Sequence, residues 1–293
     1  MGTALDELLA LLELEQLEVN LFRGVSPDED RQRVFGGQVA AQALVASGRT
    51  VDDDRPVHSL HSYFLRPGDP NIPIIYDVDR IRDGRSFTTR RVVAIQHGRA
   101  IFNLAASYQI EEEGPSHQAP MPDVPDPDAL PTFKERIEPY VERFGSDFAE
   151  WLVRERPIDS RPVDDPRWLD PAPREPHQDV WIRANGKLPD DRLVHACVVA
   201  YASDLTLLDT AMLPHAISFQ EDQYMIASLD HAMWFHRPFR ADEWLLYHQT
   251  SPSASSARGL AEGSIFCRDG TLAITVIQEG LIRPVGKTAK PAS

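Results

Sequence analysis

Leu5, Leu8, Leu9 and Leu12 fall at i, i+3, i+4 and i+7, which predicts an amphipathic helix over residues 4–17. Thr3 and Asp6 resemble a capping pair at its start, and its apolar stripe suits a lid on the main body. The run that follows Gly36-Gly37, from Gln38 to Ala46, differs in kind: it is small and apolar on nearly all sides, the mark of a buried helix. Paired glycines at its start permit close backbone approach. Strand-like runs then occupy 58–65, 72–82, 86–96 and 100–109, separated by turn signals at Arg66-Pro67-Gly68-Asp69, Arg82-Asp83-Gly84 and His97-Gly98. The second half repeats this grammar. A short strand at 181–184 precedes a helix at 194–208 that is apolar almost all round, and strands follow at 224–235, 243–251, 257–267 and 271–278.

The two halves also match residue by residue. Tyr63-Phe64-Leu65-Arg66-Pro67 corresponds to Trp234-Phe235-His236-Arg237-Pro238, and Ser107-Tyr108-Gln109 to Val276-Ile277-Gln278. Each copy is one buried helix followed by antiparallel strands. A helix apolar on every face must be covered all round, which a sheet achieves by curling around it. The expected fold is therefore α+β, a double hotdog: two tandem repeats, each a buried helix wrapped by a curved antiparallel sheet, the two sheets meeting edge to edge. Between the copies the composition changes. Thirteen of the 24 prolines lie within 111–180, behind Glu111-Glu112-Glu113, with room for a short helix around 133–153. The predicted organisation is a first repeat over 1–112, a Pro-rich linker over 113–178 and a second repeat over 179–293.

Charge narrows the partners. Lys and Arg number 30 against 45 Asp and Glu, a net charge of −15, and so acidic a chain lacks the basic face that a nucleic acid requires. No apolar stretch approaches the roughly 18 residues of a membrane span. The two cysteines, Cys197 and Cys267, sit in apolar runs and read as reduced thiols, and the acidic N-terminus lacks the basic start of a secretory signal. Both point to the cytoplasm.

Several motifs are missing: Gly-x-Ser-x-Gly, phosphate-binding glycine loops, His-Glu-x-x-His and Cys-x-x-Cys. His58 and His61 would face opposite sides of one strand and cannot easily share a metal. What remains is a set of polar residues in apolar places. Asp204 has Ala200, Tyr201, Leu207 and Leu208 as helical neighbours, and burial there would raise its pKa toward that of a general base; the alternative is a hydrogen-bonded or capping Asp. By strand alternation Gln278 points with Leu272, Ile274 and Val276, where an amide could orient a water, although taken alone a strand-end amide meeting solvent is the better account. Ser228 offers a hydroxyl, with Asp230 and His231 as competitors.

Longer stretches carry a resemblance. Leu21-Phe22-Arg23-Gly24, Val34-Phe35-Gly36-Gly37-Gln38, 58–68, Val180-Trp181-Ile182-Arg183-Ala184, Tyr201-Ala202-Ser203-Asp204-Leu205, 230–238 and 253–259 resemble, in this order, the type II acyl-CoA thioesterases (TesB-like). The resemblance runs from about residue 15 to 283. It implies the double hotdog fold and hydrolysis of acyl-CoA by a water that Asp204, Ser228 and Gln278 hold, with no metal or redox cofactor. Ser228 departs from the Thr common at that position. The first repeat has Val57 in the place of Ser228, so its own site is degenerate. Gly36 and Gly37 are candidates to hold the carbonyl oxygen, and Arg183, Arg237 and Arg258 to meet the CoA phosphates. Sheet edges favour a homo-oligomer, a dimer or tetramer. Two other readings stay open: a non-catalytic acyl-CoA-binding hotdog module, and an acyl-CoA hydratase, against which Ile74 stands where the Asp69-Pro70-Asn71 pattern would require a His.

Overall fold

The computed structural model describes residues 2–27, 32–143, 154–165, 172–217 and 223–285. Helix α1 (Ala4–Leu12) is opened by a reciprocal Thr3–Asp6 capping box and buries Leu5, Leu8 and Leu12. It ends sooner than its apolar period suggests, because β1 (Glu15–Glu18) begins a sheet edge there. Helix α2 (Gly36–Gly48) is buried from Gly37 to Ser47, as expected of a helix without a charged face. Around it lie β2 (Leu21–Gly24), β3 (Val57–Phe64), β4 (Ile74–Asp83), β5 (Phe87–Gln96) and β6 (Arg99–Gln109).

The Pro-rich stretch is more than a connector. It carries α3 (Phe133–Ile137), which passes into a 3-10 turn to Arg143, and strand β7 (Ile158–Pro162). The remainder of the helix expected around 133–153 lies outside the described residues. Residues 121–130 also cover the outer face of the sheet, packing Met121, Val124 and Leu130 on Trp181, Leu246 and Phe266. The second half contains β8 (His177–Ala184), α4 (Arg192–Ser203), the single turn α5 (Asp209–Met212), β9 (Tyr224–Ser228), β10 (Asp230–Phe235), β11 (Leu245–Ser255), β12 (Arg258–Cys267) and β13 (Leu272–Pro284).

The sheet path reads β1-β2-β4-β5-β6-β3-β10-β13-β12-β11-β8-β7, with β9 attached to β13. This order is a palindrome about the β3–β10 pair, where Leu60 faces Met233 and Ser62 faces His231 in antiparallel register. The sequence repeat is thus a structural one, and the two halves join edge to edge. Strands β7 and β8 occupy the places that β1 and β2 hold in the first half, so residues 158–162 and 177–178 stand with the second half in the sheet. Helices α2 and α4 pack on each other inside the wrapped sheet. Both cysteines are free, Cys197 buried and Cys267 partly so. Among the described residues, no helix is long and apolar enough to cross a membrane.

Candidate active site

Helix α4 stops earlier than its apolar pattern suggests, and that stop creates the site. The pattern runs to Leu208, but the helix ends at Ser203 with Asp204 as its C-cap. Ser203 Oγ bonds back to the Ala200 carbonyl, and Tyr247 Oη donates to the Ser203 carbonyl. Both bonds occupy carbonyls of the last turn that would otherwise be orphaned. Leu208, just beyond, packs onto Gly280 of β13, where an added Cβ would stand 2.4 Å from the leucine methyls. The turn after α4 therefore lies directly on β13.

Strand β13 supplies the second group. It runs to Pro284 rather than ending at Gln278, and its inward residues Ile274, Val276, Gln278 and Gly280 are buried. Gln278 sits where the partner of β13 changes: β10 pairs with Ile274–Ile277 and β9 with Gly280–Pro284. The single long strand expected over 224–235 is accordingly two strands, broken at Leu229. Leu229 bridges the gap through its N–H to Glu279 and its carbonyl to the Phe64 N–H. The break sets Ser228, opposite Gly280, beside Gln278. Asp230 Oδ1 accepts the Glu279 N–H at 2.7 Å and fixes the kink.

The three side chains meet. Gln278 Nε2 donates to Asp204 Oδ1 at 2.6 Å and to Ser228 Oγ at 2.8 Å, and Ser228 Oγ lies 3.4 Å from the same carboxylate oxygen. Gln278 is fully buried, and its Oε1 has no hydrogen-bond partner. Burial pushes the Asp204 carboxyl up to about 6, against the bonds from Gln278, the Gly37 N–H and Ser228, which favour its charged form. Its place at the C-terminal end of α4 acts in the same direction as burial.

The Gly37 N–H is the feature that reading the sequence missed. Helix α2 has Phe35 at its N-cap and no side-chain cap of its own, and the Asp204 carboxylate fills that role from the other helix. An added Cβ at Gly36 would stand 2.7 Å from Asp204 Oδ2, and one at Gly37 2.6 Å from the Tyr201 carbonyl oxygen. The paired glycines thus admit the end of α4. The Gly37 N–H expected to hold a substrate oxygen is committed to Asp204. Phe35 and Tyr201 meet edge to face at 5.1 Å beside this junction.

The other candidates separate. His231 is fully buried, accepts or donates at 2.9 Å with Ser203 Oγ, and is held neutral by burial, down to about 4. It supports the α4 terminus rather than competing with Ser228. Arg183 is paired with Asp159 at 3.0 Å and stacked over Trp244, toward the β7 edge. Arg237 holds the Leu272 and His117 carbonyls, so it clasps the Pro-rich stretch. Arg258 pairs with Glu279 at 2.8 Å, next to the Gly259–Gly280 pair that faces Ser228. In the first repeat the C-cap of α2 is Arg49, bonded to Glu13 and the Leu14 carbonyl, and no carboxylate stands in the place of Asp204. His58 binds Ser107 while His61 packs against Trp234, so the two do not converge.

Comparison with known proteins agrees with this fold. The model of the acyl-CoA thioesterase family matches residues 154–281, and that of the acyl-CoA thioesterase N-terminal domain matches 26–109. Acyl-coenzyme A thioesterase 8 of Homo sapiens is 44% identical over 282 residues, covering 93% of this chain and 88% of the relative. The crystal structure of the acyl-CoA thioesterase II TesB2 from Mycobacterium marinum superposes with a TM-score of 0.78 at 45% identity, over 97% of this chain and all of that one. A hot dog fold protein from Alicyclobacillus acidocaldarius, at 19% identity and a TM-score of 0.76 over 97% of this chain and 99% of that one, shares the fold. With two family models on its two halves and 44–45% identity along nearly its whole length, this chain belongs to the type II, TesB-like, acyl-CoA thioesterase family.

Proposed function

We propose that the chain hydrolyses fatty acyl-CoA to free fatty acid and CoA, with Asp204 activating the water. The observation that carries this reading is one desolvated carboxylate, raised to about 6, held by an amide and a hydroxyl at the meeting of two buried helix ends. Asp204 takes a proton from water as the water oxygen attacks the thioester carbonyl. The tetrahedral intermediate collapses with cleavage of the C–S bond. CoA leaves as a thiolate, which needs no strong general acid, and the proton on Asp204 passes to solvent. Ser228 and Gln278 orient the water, and the unpartnered Gln278 Oε1 is an acceptor for its second proton. With the Gly37 N–H engaged, the role of oxyanion donor falls to Gly36. Of the three arginines, we assign a CoA phosphate to Arg258, half-exposed and paired with Glu279 next to Gln278. The outer strands β1 and β7 leave two sheet edges that fit a homo-oligomer, and the free cysteines fit the cytoplasm.

The test is thiol release from acyl-CoAs of graded chain length, followed from pH 5 to 8. A base with a pKa near 6 must be ionised to act, so kcat/KM rises about tenfold per pH unit below 6 and levels above it. Absence of thiol release at every chain length would favour the binding-module reading; a flat profile would remove Asp204 as the base. Ser228→Ala is expected to lose about tenfold in kcat, the worth of one hydrogen bond to a charged group. Ser228→Thr keeps the hydroxyl and stiffens its rotamer, and is expected to retain activity within about threefold.

A further inference from the structure

On the opposite face of the sheet lies a cluster that the hydrolysis does not use. Asp179 on β8 stands directly across from His248 on β11, and His177 stands across from Thr250. Residues 177, 179 and 248 therefore share one face. The alternate residues Gln178 and Gln249 reach the helical side instead, where they bond to Thr206. Asp179 is 5% exposed, and each of its oxygens takes one imidazole nitrogen: His177 Nε2 at 2.8 Å on Oδ2, and His248 Nδ1 at 2.8 Å on Oδ1. Its ion-pair partners among the described residues are these two histidines alone. Asp242, comparably buried, is met by Arg240 and Lys187.

A buried carboxylate is held only where it is paired and hydrogen-bonded, and here both partners are imidazoles, which are also metal ligands. Two imidazoles at the rim and one carboxylate at the base offer two nitrogens and one oxygen, all within 4.8 Å of one another. Zinc at about 2.1 Å from each would set the donors about 3.4 Å apart, which opens the two 2.8 Å contacts to make room for the ion. Rotation of the imidazoles supplies that movement, since the His177 side chain is 46% exposed and that of His248 29%. Asp179, fixed in the strand pair, is the anchor. Imidazole with carboxylate is the donor set of the zinc class of ions, and three protein ligands leave the fourth position for water.

We propose that His177, Asp179 and His248 form a binding site for a divalent ion of the zinc class, on the face of the sheet opposite Asp204, that ties β8 to β11. Both strands lie near the β7 edge of the sheet, so the ion stiffens that end of the second repeat.

The full chain, stripped with a chelator and dialysed, is titrated with zinc chloride at pH 7.5 by calorimetry. One equivalent per chain binds with a Kd in the micromolar range or tighter, and the unfolding midpoint rises with zinc concentration, as linkage requires. Cobalt(II) in its place gives the visible absorption of a four-coordinate ion. His177→Gln, His248→Gln and the isosteric Asp179→Asn each weaken zinc binding by more than about 30-fold and abolish the midpoint rise. Their midpoints without metal show that the variants are folded. Absence of stoichiometric uptake by the wild-type chain would overturn the proposal. So would uptake that persists in all three folded variants.

Discussion

Asp204→Asn is expected to lower kcat by about 10²–10⁴, the usual contribution of a general base, and at the same time to raise the stability of the fold. The amide keeps the shape of the carboxylate and an oxygen to accept from Gln278 Nε2 and Ser228 Oγ, but it cannot take the proton of the attacking water. Ligand binding survives, so the loss falls on kcat and not on the affinity for a non-hydrolysable acyl-CoA analogue. Turnover equal to wild type would make Asp204 a structural cap and nothing more.

The stability half of this prediction follows from the direction of the pKa shift. The carboxyl rises from 3.8 to about 6 on folding, so between those values the native state binds more protons than the unfolded chain. Wild-type stability therefore falls as pH rises through this window, and above about pH 6 the full cost of holding the charge is present. At 1.36 kcal/mol per unit, that cost is on the order of 2–3 kcal/mol. An uncharged side chain avoids most of it, less one lost acceptor. The variant should melt several degrees above wild type at pH 7.5, and the gap should close as the pH approaches 4. A gap independent of pH would mean that burial of this charge is not the cause.

Much of this arrangement was legible in the chain. A helix without a charged face cannot hide unless a sheet surrounds it, and two such helices at one spacing gave the paired wrapped-helix architecture. Asp204 and Gln278 stood out because each is polar among apolar neighbours. The remainder depended on partners distant in sequence. The apolar period of α4 ran on to Leu208, whereas Tyr247, on another strand, helps to close the helix at Ser203. Nothing local marks Leu229 as a break; β13 imposes it by pairing with both of its neighbours. Proline content suggested a linker, but β7 bears the proline at its last position on an outer strand, where a missing N–H costs little. His177 and Asp179 share a face with His248, 69 residues beyond Asp179, only through the β8–β11 register.

Gly37→Ala carries the second large effect, and it tests whether the meeting of α2 and α4 sets the geometry of the site. The new methyl would lie 2.6 Å from the Tyr201 carbonyl oxygen and 2.6 Å from the Phe35 ring. The ring can turn aside, but the carbonyl belongs to the last turn of α4 and moves only with the helix. Overpacking of this kind costs about 1–3 kcal/mol, which at this chain length lowers the melting midpoint by roughly 1–2 °C for each kcal/mol. Any shift that relieves the clash carries Asp204 away from the Gly37 N–H and from Gln278. A displacement near 1 Å is worth about 10²-fold in rate, so kcat should fall by about that factor while acyl-CoA still binds. Gly36→Ala is the internal contrast. Its methyl would meet Asp204 Oδ2 at 2.7 Å and the Phe64 ring at 2.8 Å, both at the ends of side chains. It should therefore impair turnover to a similar degree while costing the fold less. Wild-type stability and rate in Gly37→Ala would show that the helix contact yields freely and that Asp204 is positioned by β13 alone.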